Sequence, residues 1–421
     1  MASLSERSLC PYGRSPSGMT VLHVNENLSL DGGVETYLFS LIPRLDQREI
    51  SSVVAYGRGD PDVYGPAHRV PEITKAGFQH QRAARRHMGA TLKTVQPDLI
   101  HIHNVQNVGI VKACLDHGPT VLTTHDHRWA CPANTFYYKR TREVCNRTCG
   151  LGCFTTTVTK HCLTPRPQYA LYFYYRVKWG LRHADRFAHI VSPSRATKDR
   201  HVKGGMPSDQ ITPLPYFCSL EPRDEPRALP DPPVITYIGR VADNKGCEFF
   251  VEALGLLPDS VQGRVVGAGA EDDKATVRNW ADEHGCADRL AVQGWADRAE
   301  IPEILDRTSV LVFPSLCVET LGIVGLEALS RGVPAVASDV GGVREGCHDG
   351  ETGFVVPPKD AAAIADRTQR LLSDHERLRA FGHRGLEVIR ERFTPEWHVD
   401  RLLNIYEQVC SAASSSLSAH A

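Results

Sequence analysis

Long uncharged stretches are missing from this chain: nowhere in its 421 residues does an uncharged run reach the roughly 18 residues that a membrane-spanning helix requires. An apolar signal core is missing too, because the opening MASLSERSLCPYGRSPSGM is polar and rich in glycine, proline and serine. Together these absences predict a cytoplasmic protein with no transmembrane segment, in which residues 1–18 form a flexible N-terminus. Excess charge of either sign is also lacking, with 48 Lys+Arg against 49 Asp+Glu. Neither nucleic acid nor an anionic membrane is therefore an expected partner, and any recognition of phosphate has to be local. Thirteen cysteines are many for a cytoplasmic chain, yet an odd number spread over this length is no disulfide framework. A complete dinucleotide fingerprint is absent as well: Gly267-Ala268-Gly269 follows a strand-like run, but Asp272 stands where the last glycine would be.

What the chain does contain is an alternation of short apolar, β-branched runs with helix-forming stretches. TVLHVN (Thr20 to Asn25) leads through Gly32-Gly33 into an amphipathic segment, and SSVVAY, PDLIHIH and TVLTTH follow, separated by helical stretches. Such alternation predicts parallel sheets covered by helices on both faces, and the length suits two domains of this α/β kind. The proline-dense SDQITPLPYFCSLEPRDEPRALPDPP reads as the connection between them. We expect a first domain over 19–215, a second over 216–396, a last helix at 397–412 and a flexible tail at 413–421.

The second domain carries the most informative stretch, SVLVFPSLCVETLGIVGLEALSRGVPAVASDVGG from Ser309 to Gly342. It reads as a buried strand, a loop and a helix that opens near Leu321-Gly322-Ile323 and stops at Gly332 and Pro334. Unpaired amides and the positive end of the helix dipole at such a start suit phosphate oxygens. Glu319 lies just before this site and Glu327 within the helix, so a diphosphate placed there would have a carboxylate on either side for neighbouring hydroxyls. VITYIGRVADNKG adds Arg240 and Lys245 in a loop after another strand, two cations that suit a diphosphate.

Glu319 and Glu327, with seven residues between them in ETLGIVGLEAL, resemble the E-x7-E motif of the retaining GT4 family of glycosyltransferases. The resemblance runs from Thr20 to Cys410 and implies the GT-B fold, two Rossmann-like domains facing across a central cleft, with the last helix crossing back to the first domain. It implies that Glu319 contacts the donor sugar, that Glu327 holds the ribose, and that Thr320, Leu321, Gly322, Ile323 and Val324 present the diphosphate-binding backbone. GRVADNKG is similar to the family segment whose arginine and lysine grip the diphosphate, here Arg240 and Lys245. GGVE, with Gly32 and Gly33, resembles its glycine loop; TTHDH places His125 as the histidine that reaches the donor sugar; and Gln293-Gly294-Trp295 stands where the base is contacted. The implied activity is transfer from a nucleotide-diphosphate sugar, UDP favoured and GDP second, to a small-molecule, glycan or lipid-linked acceptor. Catalysis would need no metal cofactor, since Arg240, Lys245 and the amides can supply charge stabilisation. The alternatives are a GT-B sugar-nucleotide epimerase or hydrolase, or a non-catalytic interaction module.

Three features stand apart. His101 and His103 share one face of a strand and read as structural or cleft-lining residues, because no third ligand follows at short spacing. Residues 126–164 interrupt the alternation and hold Cys131, Cys145, Cys149, Cys153 and Cys162, with Gly150 and Gly152 arguing against a continuous helix. A structural zinc is one reading of these thiols, and free or locally paired cysteines the other. QYALYFYYRVKWGLRHADRF is helical, aromatic and basic, and could touch lipid headgroups, stack an acceptor ring or pack on its own domain, the last being the commonest use of such a stripe.

Overall fold

The computed structural model describes residues 18–29, 32–225 and 228–418, so the expected flexible N-terminus lies, apart from Gly18, outside the described residues. In chain order the first half runs β1 (Thr20–Leu28), α1 (Gly33–Asp46), β2 (Ser51–Gly59), β3 (Ala67–Arg69), α2 (Gln81–Val95), β4 (Leu99–Ile102), α3 (Val108–His117) and β5 (Thr120–Thr123). It continues with β6 (Tyr137–Tyr138), β7 (Glu143–Val144), α4 (Gly152–Lys160), α5 (Pro167–Arg182), β8 (His189–Ser192), α6 (Arg195–Gly204) and β9 (Ile211–Pro213). The second half runs β10 (Val234–Ile238), α7 (Cys247–Leu256), β11 (Gln262–Val266), α8 (Glu271–Glu283), β12 (Leu290–Gln293), α9 (Ile301–Asp306), β13 (Val310–Phe313) and α10 (Ile323–Ser330). β14 (Ala335–Ser338), β15 (Gly353–Val356), α11 (Ala361–Leu372), α12 (His375–Arg392) and α13 (Pro395–Ser418) complete it.

Two parallel sheets organise these elements, one of seven strands in the order β3-β2-β1-β4-β5-β8-β9 and one of six in the order β12-β11-β10-β13-β14-β15. In each, the chain starts in the middle, winds outward on one side and then on the other. The reversals fall between β1 and β4 and between β10 and β13, and crevices at the carboxyl ends of strands at such points are where open α/β sheets bind ligands. The sequences explain the layers. All four residues of β13 are buried, as a strand covered on both faces demands. α11 buries Ala361, Ile364, Ala365, Thr368 and Leu371 at helical spacing, and its start is capped by Asp360, whose side chain accepts from the Ala363 amide at 2.8 Å, a contact worth about 1 kcal/mol.

Two elements differ from the expectation. Ile211–Pro213 is not linker but β9, the sheet-edge partner of β8, so the connection is shorter; a three-residue edge strand ending in proline gives little periodicity to detect. The last helix starts before 397 and continues to Ser418, taking in much of the expected tail. It returns to the first domain, where Tyr37 Oη meets His398 Nε2 at 2.8 Å and Tyr406 Oη meets His101 Nδ1 at 2.6 Å. Residues 126–164 contain an antiparallel β6–β7 hairpin, and α4 begins only at Gly152, so no continuous helix runs from Cys145 to Cys153.

Candidate active site

The strand-to-helix unit forms as its residues require. After β13 the chain loops through Pro314 to Leu321 and enters α10 at Gly322, whose φ of 86° belongs to the left-handed region. A Cβ there would also come within 2.8 Å of Phe313 Cε1, so glycine is needed twice over. In the first turn of α10 the Gly325 amide donates to the Gly322 carbonyl at 2.9 Å, while those of Ile323 and Val324, which line the crevice, have no intrahelical acceptor. Beside it, β10 ends at Gly239-Arg240 and α7 begins after Gly246, at φ 68°. Across the crevice α1 begins at Gly32-Gly33, so close that a Cβ on Gly33 would lie 3.5 Å from Ile323 Cδ1. Glu35 anchors that glycine turn by accepting from Asn25 Nδ2 at 3.2 Å and Asn27 Nδ2 at 3.0 Å.

Between the two helix starts is a cavity of about 430 Å³ that brings together Gly32, Gly33, Arg240, Lys245, Glu319, Thr320, Gly322, Ile323 and Val324, with Tyr237, Phe313 and Trp295 on its walls. Four expected residues are not on its lining, His125, described below, among them. Leu321 turns its side chain into the core, Gly294 is replaced at the wall by its neighbour Trp295, and Glu327 lies one turn into α10.

The two glutamates are held differently. Glu319 Oε1 accepts from Lys245 Nζ at 2.6 Å and from Ser315 Oγ at 2.6 Å. Burial alone would raise its pKa, but the Lys245 charge and these hydrogen bonds outweigh burial and hold it below the ordinary value, so the carboxylate is ionised. Glu327 Oε1 accepts from Arg298 Nη1 at 2.8 Å, while Arg298 Nη2 bonds Ser219 Oγ. Here burial prevails over the arginine, and the carboxyl titrates above its ordinary range. Arg240 is exposed at the cavity rim, with its backbone carbonyl accepting from Tyr237 Oη at 2.7 Å.

His125 does not present a free ring nitrogen to the cavity. Its Nε2 meets His103 Nδ1 at 2.8 Å, its Nδ1 meets Tyr216 Oη at 2.6 Å, and His103 Nε2 continues the chain to His23 Nδ1 at 3.1 Å. Burial lowers His23 and His125 to about 3, so the imidazoles are neutral. His101 and His103 are thus buried members of a histidine–tyrosine network, in line with a structural reading. His23 is the member that sequence spacing concealed, because it comes from the neighbouring strand, in register with His101. The histidine that does cross the cleft is His127, whose ring Nε2 meets the Val318 carbonyl at 3.2 Å, one residue before Glu319. Sequence reading passed it over although it stands two residues from His125 in TTHDH.

The cysteine segment reaches over the same region. Tyr137 Oη donates to the Asp243 carbonyl at 3.1 Å, Arg142 pairs with Asp243 and Glu248, and Tyr137 packs on Leu316 and Cys317. Cys131 is buried with Phe136 against Val318 of the second domain, Cys162 Sγ donates to Thr156 Oγ1 at 3.7 Å, and Cys149 and Cys153 hydrogen-bond each other. Among the described residues, the group of three candidate metal ligands whose atoms lie within 4.8 Å of one another is His23, His101 and His103, not any three of these thiols.

Two parallel-sheet domains set strand ends to helix starts across a cleft define the GT-B class, and solved structures of that class superimpose over nearly the whole chain. Sucrose-phosphate synthase from Thermosynechococcus elongatus does so with a TM-score of 0.72 at 20% identity, covering 94% of this chain and 100% of that one. HepE of Anabaena in complex with UDP-glucose does so with a TM-score of 0.66 at 17% identity and the same coverage. The family model described as Glycosyltransferase Family 4 matches residues 31–221, and that described as Glycosyl transferases group 1 matches 221–388. The two meet end to end, and the chain belongs to the GT4-type glycosyltransferases.

Curated relatives include the alpha-D-kanosaminyltransferase of Streptomyces kanamyceticus, 31% identical over 248 residues, which are 55% of this chain and 64% of that protein. The GDP-mannose-dependent alpha-(1-6)-phosphatidylinositol monomannoside mannosyltransferase of Mycobacterium tuberculosis is 31% identical over 226 residues, 52% of this chain and 56% of that protein. The matches thus span less than two thirds of these relatives' own length.

Proposed function

We propose that this protein is a retaining glycosyltransferase that moves a sugar from a nucleotide-diphosphate sugar to a hydroxyl of a small-molecule, glycan or lipid-linked acceptor. The observation that carries this reading is the setting of Glu319 and Glu327 on either side of the open amides of α10, with Lys245 and Arg240 on the same cavity. A diphosphate at the helix start would take its charge compensation from those amides and the two cations. Glu327 would accept from the ribose hydroxyls and Glu319 from the sugar. As the bond from the anomeric carbon to the phosphate oxygen breaks, a bond from the same carbon to the acceptor oxygen forms on the same face, and the departing phosphate takes the acceptor's proton. Charge builds on the leaving diphosphate, where Arg240, Lys245 and the amides stabilise it without a divalent ion.

UDP is the first choice of nucleotide and GDP the second. A UDP-glucose complex among the similar folds and a GDP-mannose-dependent relative support both, and Trp295 offers a base an exposed ring at the cavity wall. The test is a thermal-stability screen with UDP-, GDP- and other sugar nucleotides. A bound donor at about 100 times its Kd adds roughly 2.7 kcal/mol of stability. A chain that no sugar nucleotide stabilises would defeat the proposal.

A further inference from the structure

Large hydrophobic side chains that stand well exposed are few among the described residues, and most of them collect on one face of the first domain: Phe78 (47%), Leu151 (77%), Val158 (71%) and Leu171 (52%). Ring contacts join the parts. Phe78, on the turn of 3-10 helix at Phe78–His80, lies 5.0 Å from the Tyr175 ring, and Phe154 of α4 lies 4.9 Å from Tyr174 of α5. α5 is divided by its helical period. Ala170, Tyr172, Arg176, Val177, Trp179 and Gly180 point inward, whereas Leu171, Tyr174, Tyr175, Lys178 and Arg182 fall on the opposite side. The inward-pointing Arg176 is fully satisfied by Gln106 Oε1 and Asn134 Oδ1, each at 2.6 Å, so the outward basic residues are not part of an internal ion network. Lys178 lies with its ammonium 5.9 Å from the Tyr174 ring centre.

The near-zero net charge conceals a strong local bias. Residues 73–97 hold five Lys+Arg and residues 144–184 hold six, and neither stretch contains an Asp or Glu. The flanking acids are largely engaged: Glu72 is buried against Lys75 and His87, and Asp116 is shared by Arg85 and Arg186. Glu143 and Asp185, the acids that flank the second stretch, are exposed. Leucine, valine and aromatic rings interleaved with lysine and arginine, in an acid-free setting, suit the boundary between acyl chains and negatively charged headgroups. Among the described residues no helix is long and apolar enough to cross a membrane.

We propose that the face built from Phe78, α4 and the outer side of α5 docks on the surface of an anionic lipid bilayer, with Leu151, Val158 and Leu171 entering the headgroup boundary and Lys178 and Arg182 on lipid phosphates. The bilayer would hold the first domain at the surface without spanning it. Docking needs neither donor nor turnover, so its failure is distinct from failure of the donor-site reading.

The test is flotation of the full chain with vesicles of phosphatidylcholine alone or mixed with phosphatidylglycerol. The expected result is partition onto the mixed vesicles, weak partition onto the neutral ones, and release by salt. A basic residue at such a surface changes partition about fivefold, so Lys178→Glu with Arg182→Glu should lower it by about 30-fold or more. Leu151→Ser, Val158→Ser and Leu171→Ser together should also abolish it, and because all three side chains are exposed, the melting temperature should not move. Absence of binding to anionic vesicles at low salt, or unchanged binding in both variants, overturns the proposal. So does a wild-type protein that self-associates while the serine variant is monomeric, which would assign the face to a second copy of the chain.

Discussion

Replacing Lys245 with methionine removes a charge while keeping most of the side chain's volume, and the consequence can be worked from the geometry. Lys245 Nζ stands 2.6 Å from Glu319 Oε1, with the side chains only 24% and 13% exposed. Burial works against the charge on each partner, yet the lysine's pKa is raised and the glutamate's lowered, because their attraction outweighs desolvation. In Lys245→Met the Glu319 carboxylate keeps Ser315 and loses its counter-charge. Leaving a buried charge unpaired costs 3–5 kcal/mol, and the partial exposure places this case near about 3 kcal/mol. For a domain of this size that is a fall in melting temperature of about 6–12 °C.

The loss should depend on pH with a definite sign. A depressed carboxyl pKa contributes stability above its unfolded value and loses it as pH falls through the folded value. Wild type and variant should therefore converge in acid, once both carry a neutral Glu319. Adding Glu319→Gln to Lys245→Met should restore most of the stability at neutral pH. A double-mutant coupling below about 0.5 kcal/mol would refute the reasoning.

Other outcomes follow from the same structure. Burial raises the Glu327 carboxyl above its ordinary value, so nucleotide affinity should weaken as pH falls, beginning above the range in which an ordinary glutamate titrates, and the slope should vanish in Glu327→Gln; a flat wild-type profile would take Glu327 off the ribose. In the free enzyme the sign is opposite, because a raised carboxyl pKa adds stability that is fully present below the unfolded value and is lost as pH rises through the folded one. His125→Ala should leave Tyr216 Oη and His103 Nδ1 without their hydrogen-bond partner, costing about 1–3 kcal/mol of stability, whereas His127→Ala, beside Glu319, should lower kcat with nearly unchanged nucleotide affinity. The reverse pattern would return the cleft-side role to His125. Cys153, lowered to about 6 chiefly by its hydrogen bond from Cys149, should be alkylated rapidly at pH 7 and slow down in Cys149→Ala, and equal rates in the two would show that the pair is not formed.

The donor-side residues were legible because their signals are local. Apolar strand, glycine, helix start and the spacing of Glu319 and Glu327 lie within one unit, and physics dictates what such a unit offers an anion. Their partners were not legible, since Arg298 and Ser219 reach Glu327 and Ser315 reaches Glu319 only through tertiary packing. The same holds for the histidine chain. Period two put His101 and His103 on one face of β4, but nothing in the sequence brought His23, Tyr216 or Tyr406 to them. Nor could counting thiols in the insertion show that Cys131 and Tyr137 pack against the second domain.

The most direct test of the donor site is titration of free UDP, free GDP and the corresponding sugar nucleotides into wild type, Glu327→Ala and Glu319→Ala. With Glu327 on the ribose, its loss should weaken free nucleotide and intact donor alike by about 1.5–3 kcal/mol, the usual cost of a hydrogen bond to a charged group. With Glu319 on the sugar, its loss should spare the free nucleotide and weaken only the donor. Equal affinity of wild type and Glu327→Ala for the free nucleotide would contradict the account.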